Sequence, residues 1–147
     1  MVGRVAGARP SHPGAVGVQS REPRDTRGPR AGRKTFDVSD FVAVARFFDA
    51  RGPFDILVNN AGTNRPMPMQ EVAEADYDAV LDLNVKSAFF VAQGCARSLI
   101  KSGKRGSLIH LSSKMGHVGG PNRSLYCASK WALEGMSKAF AFDLAPH

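Results

Sequence analysis

Residues 54–62 read Phe-Asp-Ile-Leu-Val-Asn-Asn-Ala-Gly, and this stretch decides the fold class. Its first five residues form a short run, mostly apolar, that follows a Gly-Pro turn, and such a run is typical of a strand buried on both faces. A second run of this kind, Leu108–Leu111, ends in two serines. Helical patterns separate and follow the two runs, so we expect a parallel sheet with helical crossovers, which is an α/β fold.

The predicted helices have recognisable starts and apolar stripes. Apolar residues from Phe41 to Phe48 fall at i, i+3, i+4 and i+7, and Ser39 or Asp40 is expected to cap a helix that runs to about residue 50. The remaining predicted elements are the end of a strand at residues 35–38 and helices at about residues 74–101 and 125–144.

The first 34 residues differ in composition from the rest. They are rich in Gly, Pro and Arg, and residues 1–35 account for +6 of the net charge of +7. No apolar periodicity runs through them, so they cannot bury enough surface to offset their ordering entropy, and we predict a disordered basic tail at 1–34 followed by a domain at 35–147. A nucleic-acid arm and an organelle transit peptide are alternative interpretations of the tail.

Several functional classes are disfavoured by the sequence. No run of 18 apolar residues is present, so no membrane span is expected. Cys95 and Cys127 lie in apolar helical contexts, which suits reduced thiols in a cytoplasmic protein. His110 and His117 have no partners at metal-ligand spacing, so no metal site is predicted. Because the charge lies in the tail, the folded part is not expected to bind nucleic acid.

Tyr126 and Lys130 are four residues apart on a predicted helix, so their side chains project from one face. A phenol is a poor acid or base at neutral pH, but a nearby ammonium favours its phenolate. Such a pair can move a proton to or from a carbonyl or alcohol oxygen. The same spacing also occurs by chance on helix surfaces, so the pair alone does not decide the function.

Three further positions suggest a site beside this pair. Ser113 ends a predicted parallel strand, where open α/β sheets bind their ligands, although serine is also a common turn former. Asn59–Gly62 directly follows the other strand, and its small residues either allow a flat ligand to approach the backbone or simply form a turn. Asn84 lies in the middle of a predicted helix, where asparagine is a mediocre choice, and this suggests a polar role.

The order and spacing of these motifs resemble those of the short-chain dehydrogenase/reductases. The matching elements are Asp37-Val38, the NNAG sequence at 59–62, the LNVK sequence containing Asn84, the LSS sequence ending at Ser113, and the YCASK sequence at 126–130. The resemblance covers residues 35–147. The surrounding loops look like those of sugar-acid or polyol dehydrogenases, or of 3-oxoacyl-carrier-protein reductases.

The resemblance implies reversible hydride transfer between NAD or NADP and a small carbonyl or alcohol substrate. It implies that Tyr126 is the acid/base and that Lys130 favours the phenolate and holds the nicotinamide ribose. Ser113 would polarise the substrate oxygen, and Asn84 would hold a water in a proton relay. The implied cofactor-binding residues are Asp37, Val38, Asn60, Ala61, Gly62, Tyr126 and Lys130.

The chain also departs from its family. The glycine-rich turn that cradles the cofactor pyrophosphate has no match. The expected fold is therefore an incomplete Rossmann-type sheet that lacks the first two strands and the last one. A truncated, catalytically silent chain that associates with full-length reductase subunits is the alternative function. The long helices, which commonly pack between subunits in this family, make a homo-oligomer a further expectation.

Overall fold

The computed structural model describes residues 37–147. Two strands and four α-helices follow one another in an α/β order, as predicted, with short 3₁₀ turns at Met69–Glu71 and Lys114–Gly116. The elements are α1 (Phe41–Arg51), β1 (Ile56–Asn59), α2 (Glu74–Leu81), α3 (Ser87–Lys101), β2 (Ser107–His110) and α4 (Ser124–Leu144).

The chain enters α1 through a turn. The strand end predicted at residues 35–38 is wrong for Asp37 and Val38, and the other two residues lie outside the described part. The Asp37 carboxylate accepts hydrogen bonds from the Ser39 main-chain N–H at 2.9 Å and from its hydroxyl at 2.6 Å, and this local bonding closes the turn. Asp40 then caps α1, as predicted, by accepting from the Ala43 N–H at 2.9 Å.

The two strands pair in parallel, as the sequence predicts. Leu57 lies opposite Leu108, and Asn59 lies opposite His110. Pairing begins just before β1, because the Ser107 N–H donates to the Asp55 carbonyl at 2.8 Å. Among residues 37–147 these strands form the whole sheet. The structure thus has the incomplete Rossmann-type sheet that the missing motifs imply.

The core lies on one face of this sheet. Leu57 is fully buried against residues of α1 and α3, and the α4 residue Phe140 packs against the same cluster. On the opposite face Val58 of β1 is 3% exposed, whereas its neighbour Ile109 of β2 is 42% exposed. One layer of helices therefore packs on one face of the two-stranded sheet, and the opposite face is exposed at β2. The buried residues of this core cluster are Val38, Val44, Phe48, Leu57, Val91, Ala92, Cys95 and Leu99.

The helix predicted for residues 74–101 is interrupted. A π-helical turn at Asp82–Lys86 separates α2 from α3. A π turn adds one residue to the helical repeat, so it rotates the following side chains relative to those before it. Its middle residue, Asn84, has no exposed surface. This break places a polar side chain in the interior.

Both cysteine thiols are free, as expected. Burial raises the pKa of the Cys95 thiol to about 12, so Cys95 acts as a packing residue. In the part of the chain that the structure describes, no helix has the length and apolar character that crossing a membrane would require.

Helices α1 and α3 approach closely at Gly94. A Cβ atom at Gly94 would lie 2.6 Å from Cδ2 of Phe48, whose ring is buried and contacts the rings of Phe47 and Phe54. The absence of a side chain at Gly94 therefore sets the distance between the two helices.

We expect Gly94→Ala to lower the free energy of unfolding by about 1–2 kcal/mol, because overpacking the Phe48 ring costs more than the gain in helix propensity. Gly135→Ala is the matched control: it lies in α4, is exposed, and its added Cβ would meet no atom within 4 Å. That variant is expected to gain about 0.5–1 kcal/mol. Urea unfolding followed by circular dichroism measures both, and a stabilised Gly94→Ala would contradict the packing described.

His110 on β2 lacks one hydrogen-bond partner. Its Nδ1 lies 3.2 Å from Nδ2 of Asn59, which also donates to the Ala88 carbonyl at 2.9 Å. Nδ1 therefore accepts, and Nε2 carries the proton. Nε2 is buried and has no partner among the described residues, and the ring packs near Phe140. Burial lowers the pKa of His110, because it disfavours the charged imidazolium.

Folding stability should consequently fall as the pH drops below about 6.5, the pKa of an unperturbed histidine. In that range the unfolded state binds a proton that the folded state resists, and above it the two states hold the same charge at this site. A single such site contributes a slope of at most about 1.4 kcal/mol per pH unit. Unfolding at pH 5–8 measures it, and an identical pH dependence in His110→Gln would refute the assignment to His110.

Candidate active site

The candidate site lies where the two parallel strands end. Residues 60–63 continue from β1, and residues 111–113 continue from β2, so both segments emerge at the same edge of the sheet. The main chain extends the pairing by one step, because the Leu111 N–H donates to the Asn59 carbonyl at 2.9 Å. Open parallel sheets place ligands at this edge. The first turns of α4 pack across it.

Lys130 projects from α4 into this edge. Its ammonium Nζ donates to the Leu111 carbonyl at 2.8 Å, and only 6% of the residue surface is exposed. Burial lowers the pKa of Lys130, because the charged form loses hydration. An ammonium has three donors, and the bond to Leu111 uses one of them. Lys130 therefore combines a fixed position with donors that remain for a ligand.

Tyr126 lies one helical turn before Lys130, and the structure brings the two side chains together. Nζ of Lys130 lies 5.6 Å from the centroid of the Tyr126 ring, within the range of a cation–π contact. Tyr126 itself is half-buried, so its ring is partly open to solvent. The pair that was predicted from its spacing thus shares one face of α4 at the sheet edge.

Asn84 is held by three hydrogen bonds. Its Oδ1 accepts from the Thr63 N–H at 2.7 Å, and its Nδ2 donates to the Thr63 carbonyl at 2.9 Å. The second Nδ2 hydrogen points to Oγ of Ser129, also at 2.9 Å. Asn84 therefore joins the π turn to the segment after β1 and to α4. Both of its side-chain donors are engaged, so a water bound beside the Asn84 side chain would donate a hydrogen bond to it and could not accept one.

Gly62 passes close to both polar groups. A Cβ at this position would lie 3.2 Å from Oδ1 of Asn84 and 3.9 Å from Nζ of Lys130. The predicted segment Asn60–Gly62 thus borders the same space as Lys130, with Asn60 and Gly62 exposed and Ala61 packed against the core. The missing side chain leaves room beside the ammonium.

Ser113 caps the 3₁₀ turn that follows β2. Its Oγ accepts from the Met115 N–H at 3.2 Å, so the hydroxyl hydrogen is left to donate elsewhere. The neighbouring Ser112 has its Oγ 3.4 Å from the Lys130 carbonyl, which places the serine pair beside α4. Gly116 reinforces this contact, since a Cβ there would lie 3.1 Å from the Lys130 carbonyl oxygen.

Asp37 and Val38 do not join this cluster. They lie in the turn before α1, where the Asp37 carboxylate bonds to Ser39 and the Val38 side chain is buried in the core. Since the Val38 side chain is buried, this residue can contact a ligand only through its main chain. No group of three or more metal-ligating side chains occurs among residues 37–147.

Three residues that form hydrogen bonds to the predicted site residues were not themselves predicted. Thr63 and Leu111 act through main-chain atoms, which leave no signal in the sequence. Ser129 acts through its hydroxyl, and it lies inside the YCASK motif without a role having been assigned to it. The available signal was a polar residue between Tyr126 and Lys130, and its full burial in the structure shows that the hydroxyl requires a partner.

Comparisons with known proteins identify the family of this chain. The family model described as short chain dehydrogenase matches residues 20–147. The 2-dehydro-3-deoxy-D-gluconate 5-dehydrogenase of Dickeya dadantii is 38% identical over 146 residues, which cover 90% of this chain and 56% of that protein. The gluconate 5-dehydrogenase of Gluconobacter oxydans is 35% identical over 127 residues, covering 84% and 49%. The chain thus spans about half the length of these relatives.

A solved structure gives the same result. The gluconate 5-dehydrogenase of Burkholderia cenocepacia, solved in complex with NADP and tartrate, has a TM-score of 0.71 and is 35% identical. The match covers 75% of this chain and 44% of that one. The sequence motifs, the partial Rossmann-type sheet and the family match point to one conclusion: the chain belongs to the short-chain dehydrogenase family.

Proposed function

We propose that this chain carries the catalytic end of an NAD(P)-dependent oxidoreductase, in which Tyr126 moves the proton during reversible hydride transfer to a small carbonyl or alcohol substrate. The observation that carries the proposal is the position of Lys130. Its ammonium is buried, is bonded to the Leu111 carbonyl at 2.8 Å, and lies 5.6 Å from the Tyr126 ring centroid. The Tyr126 hydroxyl is thus carried by a ring that lies beside a fixed ammonium, and general acid/base work requires a group positioned in this way.

The proposed proton chemistry uses two hydroxyl groups. When a carbonyl is reduced, the Tyr126 hydroxyl gives its proton to the substrate oxygen, and when an alcohol is oxidised the phenolate takes that proton back. Ser113 donates to the same oxygen, because its Oγ already accepts from Met115 and its hydrogen remains available. The ammonium of Lys130 offsets the charge left on Tyr126.

The residues present fit the nicotinamide end of the cofactor. The space left by Gly62 beside Lys130 is bordered by Asn60 and Ala61, and the remaining Lys130 donors suit ribose hydroxyls. When bound, the cofactor supplies or accepts the hydride. Asp37 and the Val38 main chain are the proposed adenine contacts, whereas no pyrophosphate contact is assigned among residues 37–147.

The choice between NAD and NADP stays open in this proposal. One related structure was solved with NADP, and the 4-hydroxyisoleucine dehydrogenase, which has a TM-score of 0.71 and is 27% identical, was solved with NADH. Both nucleotides therefore belong in the first binding test. The proposal also includes a cytoplasmic location and a homo-oligomer formed through the long helices. It includes no binding of nucleic acid.

The proposed substrates are small polyhydroxy carbonyl compounds, such as sugar acids or polyols. Two loops border the sheet edge, and the Met67 N–H joins them by donating to the Asn122 carbonyl at 3.2 Å. Arg65 in the first loop is held by Asp76 at 2.6 Å. Polar loops of this kind suit hydroxyl-rich ligands, and relatives in the comparison are named for gluconate and a deoxygluconate. A 3-oxoacyl-carrier-protein substrate is the other class to screen.

A catalytically silent chain that associates with longer reductase subunits is the second candidate. Within residues 37–147 the outer edges of β1 and β2 have no strand partner, and Ile109 of β2 is 42% exposed. Unpaired strand edges readily accept an added strand. This candidate predicts co-purification with a longer reductase and no turnover by the chain alone.

Tyr126→Phe tests the proposed function against a matched control. The chain has two tyrosines, and Tyr77 is exposed on α2, so Tyr77→Phe removes a hydroxyl away from the site. We expect Tyr126→Phe to lower kcat at least about 100-fold, since it removes the proton donor, and to leave NADH or NADPH binding nearly unchanged. Binding is followed by energy transfer from Trp131, the single tryptophan.

Three outcomes separate the candidates. Turnover that Tyr77→Phe retains and Tyr126→Phe loses supports the proposed function. Equal turnover in both variants refutes the role of Tyr126. Absence of turnover and of cofactor binding in the unaltered chain, together with co-purification of a longer reductase, favours the silent chain.

A further inference from the structure

Ser129 is a fully buried hydroxyl between the two residues proposed to do the chemistry. It lies in α4 and has no exposed surface. Its Oγ donates to the Tyr126 carbonyl at 2.8 Å, and the same oxygen accepts from Nδ2 of Asn84 at 2.9 Å. Both functions of the hydroxyl are therefore in use. Ser129 connects the Tyr126–Lys130 turn of α4 to the π turn that holds Asn84.

Each hydrogen bond around Asn84 fixes which atom donates in the next one. The Thr63 N–H can only donate, so it requires Oδ1 of Asn84, and Nδ2 must then face the Thr63 carbonyl and Ser129. A flipped Asn84 amide would bring Nδ2 against the Thr63 N–H, which places two donors together. Ser129 supplies the acceptor that satisfies the last Nδ2 hydrogen. The main chain of Thr63 thus fixes the orientation of the Asn84 amide, and the Ser129 hydroxyl satisfies its remaining donor.

We infer that Ser129 is a positioning residue for the proposed reaction, and that it acts by holding Asn84 and Thr63 in register with Tyr126 and Lys130. The inference rests on the proposed function for its catalytic part. Its structural part stands on the hydrogen bonds: the Ser129 hydroxyl joins α4 to Asn84, and the Asn84 amide joins both to Thr63.

A small shift of Asn84 would reach the reacting groups. Gly62 lies between Asn84 and the ammonium, since its Cβ position is 3.2 Å from Oδ1 of Asn84 and 3.9 Å from Nζ of Lys130. If Ser129 loses its hydroxyl, one Nδ2 hydrogen stays buried without a partner, and the amide is driven to shift or to admit water. Either change moves the segment that borders Lys130.

Ser129→Ala is the test, and Ser137→Ala is its matched control. Ser137 lies on the same helix, is half-buried, and its side chain has no hydrogen bond within the described chain. For Ser129→Ala we expect kcat to fall about tenfold with KM within about twofold, because the groups that contact the substrate remain. The pH midpoint of kcat should also move by about 0.5 or more, which a mere loss of folded protein would not cause. Ser137→Ala should match the unaltered chain.

A double-mutant cycle decides whether Ser129 acts through Asn84. In an Asn84→Ala background the further Ser129→Ala change should alter kcat by less than about twofold, because the link is already broken. An undiminished tenfold fall in that background overturns the inference. Should Asn84→Ala fail to fold, Ser129→Thr replaces it: the retained hydroxyl should restore kcat, and a loss of kcat equal to that of Ser129→Ala, in a variant shown to be folded, overturns the inference.

Hydrogen exchange at the Thr63 amide gives a readout independent of turnover. We expect exchange at this amide to be at least about tenfold faster in Ser129→Ala and unchanged in Ser137→Ala. If the unaltered chain shows no turnover, the proposed function fails and the catalytic part of the inference fails with it. In that case unchanged Thr63 exchange in Ser129→Ala also overturns the structural part, and faster exchange supports it.

Discussion

The arrangement of the whole site depends on the amide of Asn84. This side chain has no exposed surface, so each of its polar atoms needs a partner inside the protein. It finds them on two other segments, the main chain of Thr63 and the hydroxyl of Ser129. An unsatisfied buried donor costs about 1–3 kcal/mol, so the three segments are tied more strongly than the same number of exposed bonds would achieve.

The π turn is the backbone feature that makes this possible. In a regular helix over residues 74–101, the direction of the Asn84 side chain would follow from that of the α2 side chains. The π turn at Asp82–Lys86 instead rotates the side chains before α3 begins. Helix α3 can then present its apolar residues to the core while Asn84 faces the sheet edge. The same interruption therefore serves packing on one side and polar organisation on the other.

Much of the fold and part of the site could be predicted from the sequence. The α1 cap at Asp40, the parallel pairing of the two strands and the proximity of Tyr126 to Lys130 all follow from local patterns, which short-range physics determines. Strand boundaries were less accurate, since β1 runs from Ile56 to Asn59 and its limits depend on where β2 pairs. The π turn was not predicted either, because apolar residues follow a helical period on both sides of Asp82–Lys86 and the change of phase occurs within that one turn.

The unpredicted parts of the site share a physical cause. The Leu111 carbonyl and both polar groups of Thr63 belong to the main chain, and every residue type offers the same atoms there. Their use depends on tertiary position alone. Ser129 differs, because its hydroxyl is visible in the sequence but gains meaning only once its burial is known. Buried polar side chains next to recognised motif residues therefore merit a role of their own.

The two ends of the proposed cofactor cleft are built in different ways. At the nicotinamide end, the hydrogen bonds of Asn84, Ser129 and Lys130 lie among residues 62–130, so the described residues themselves determine its geometry. At the adenine end, Asp37 and Val38 are placed by the hydrogen bonds of a turn and by core packing. Under the proposed function, proton chemistry and cofactor affinity are therefore separable. A well-formed proton-transfer site can coexist with weak cofactor binding, because hydrogen bonds around Asn84 organise the first and contacts along the rest of the nucleotide supply most of the second.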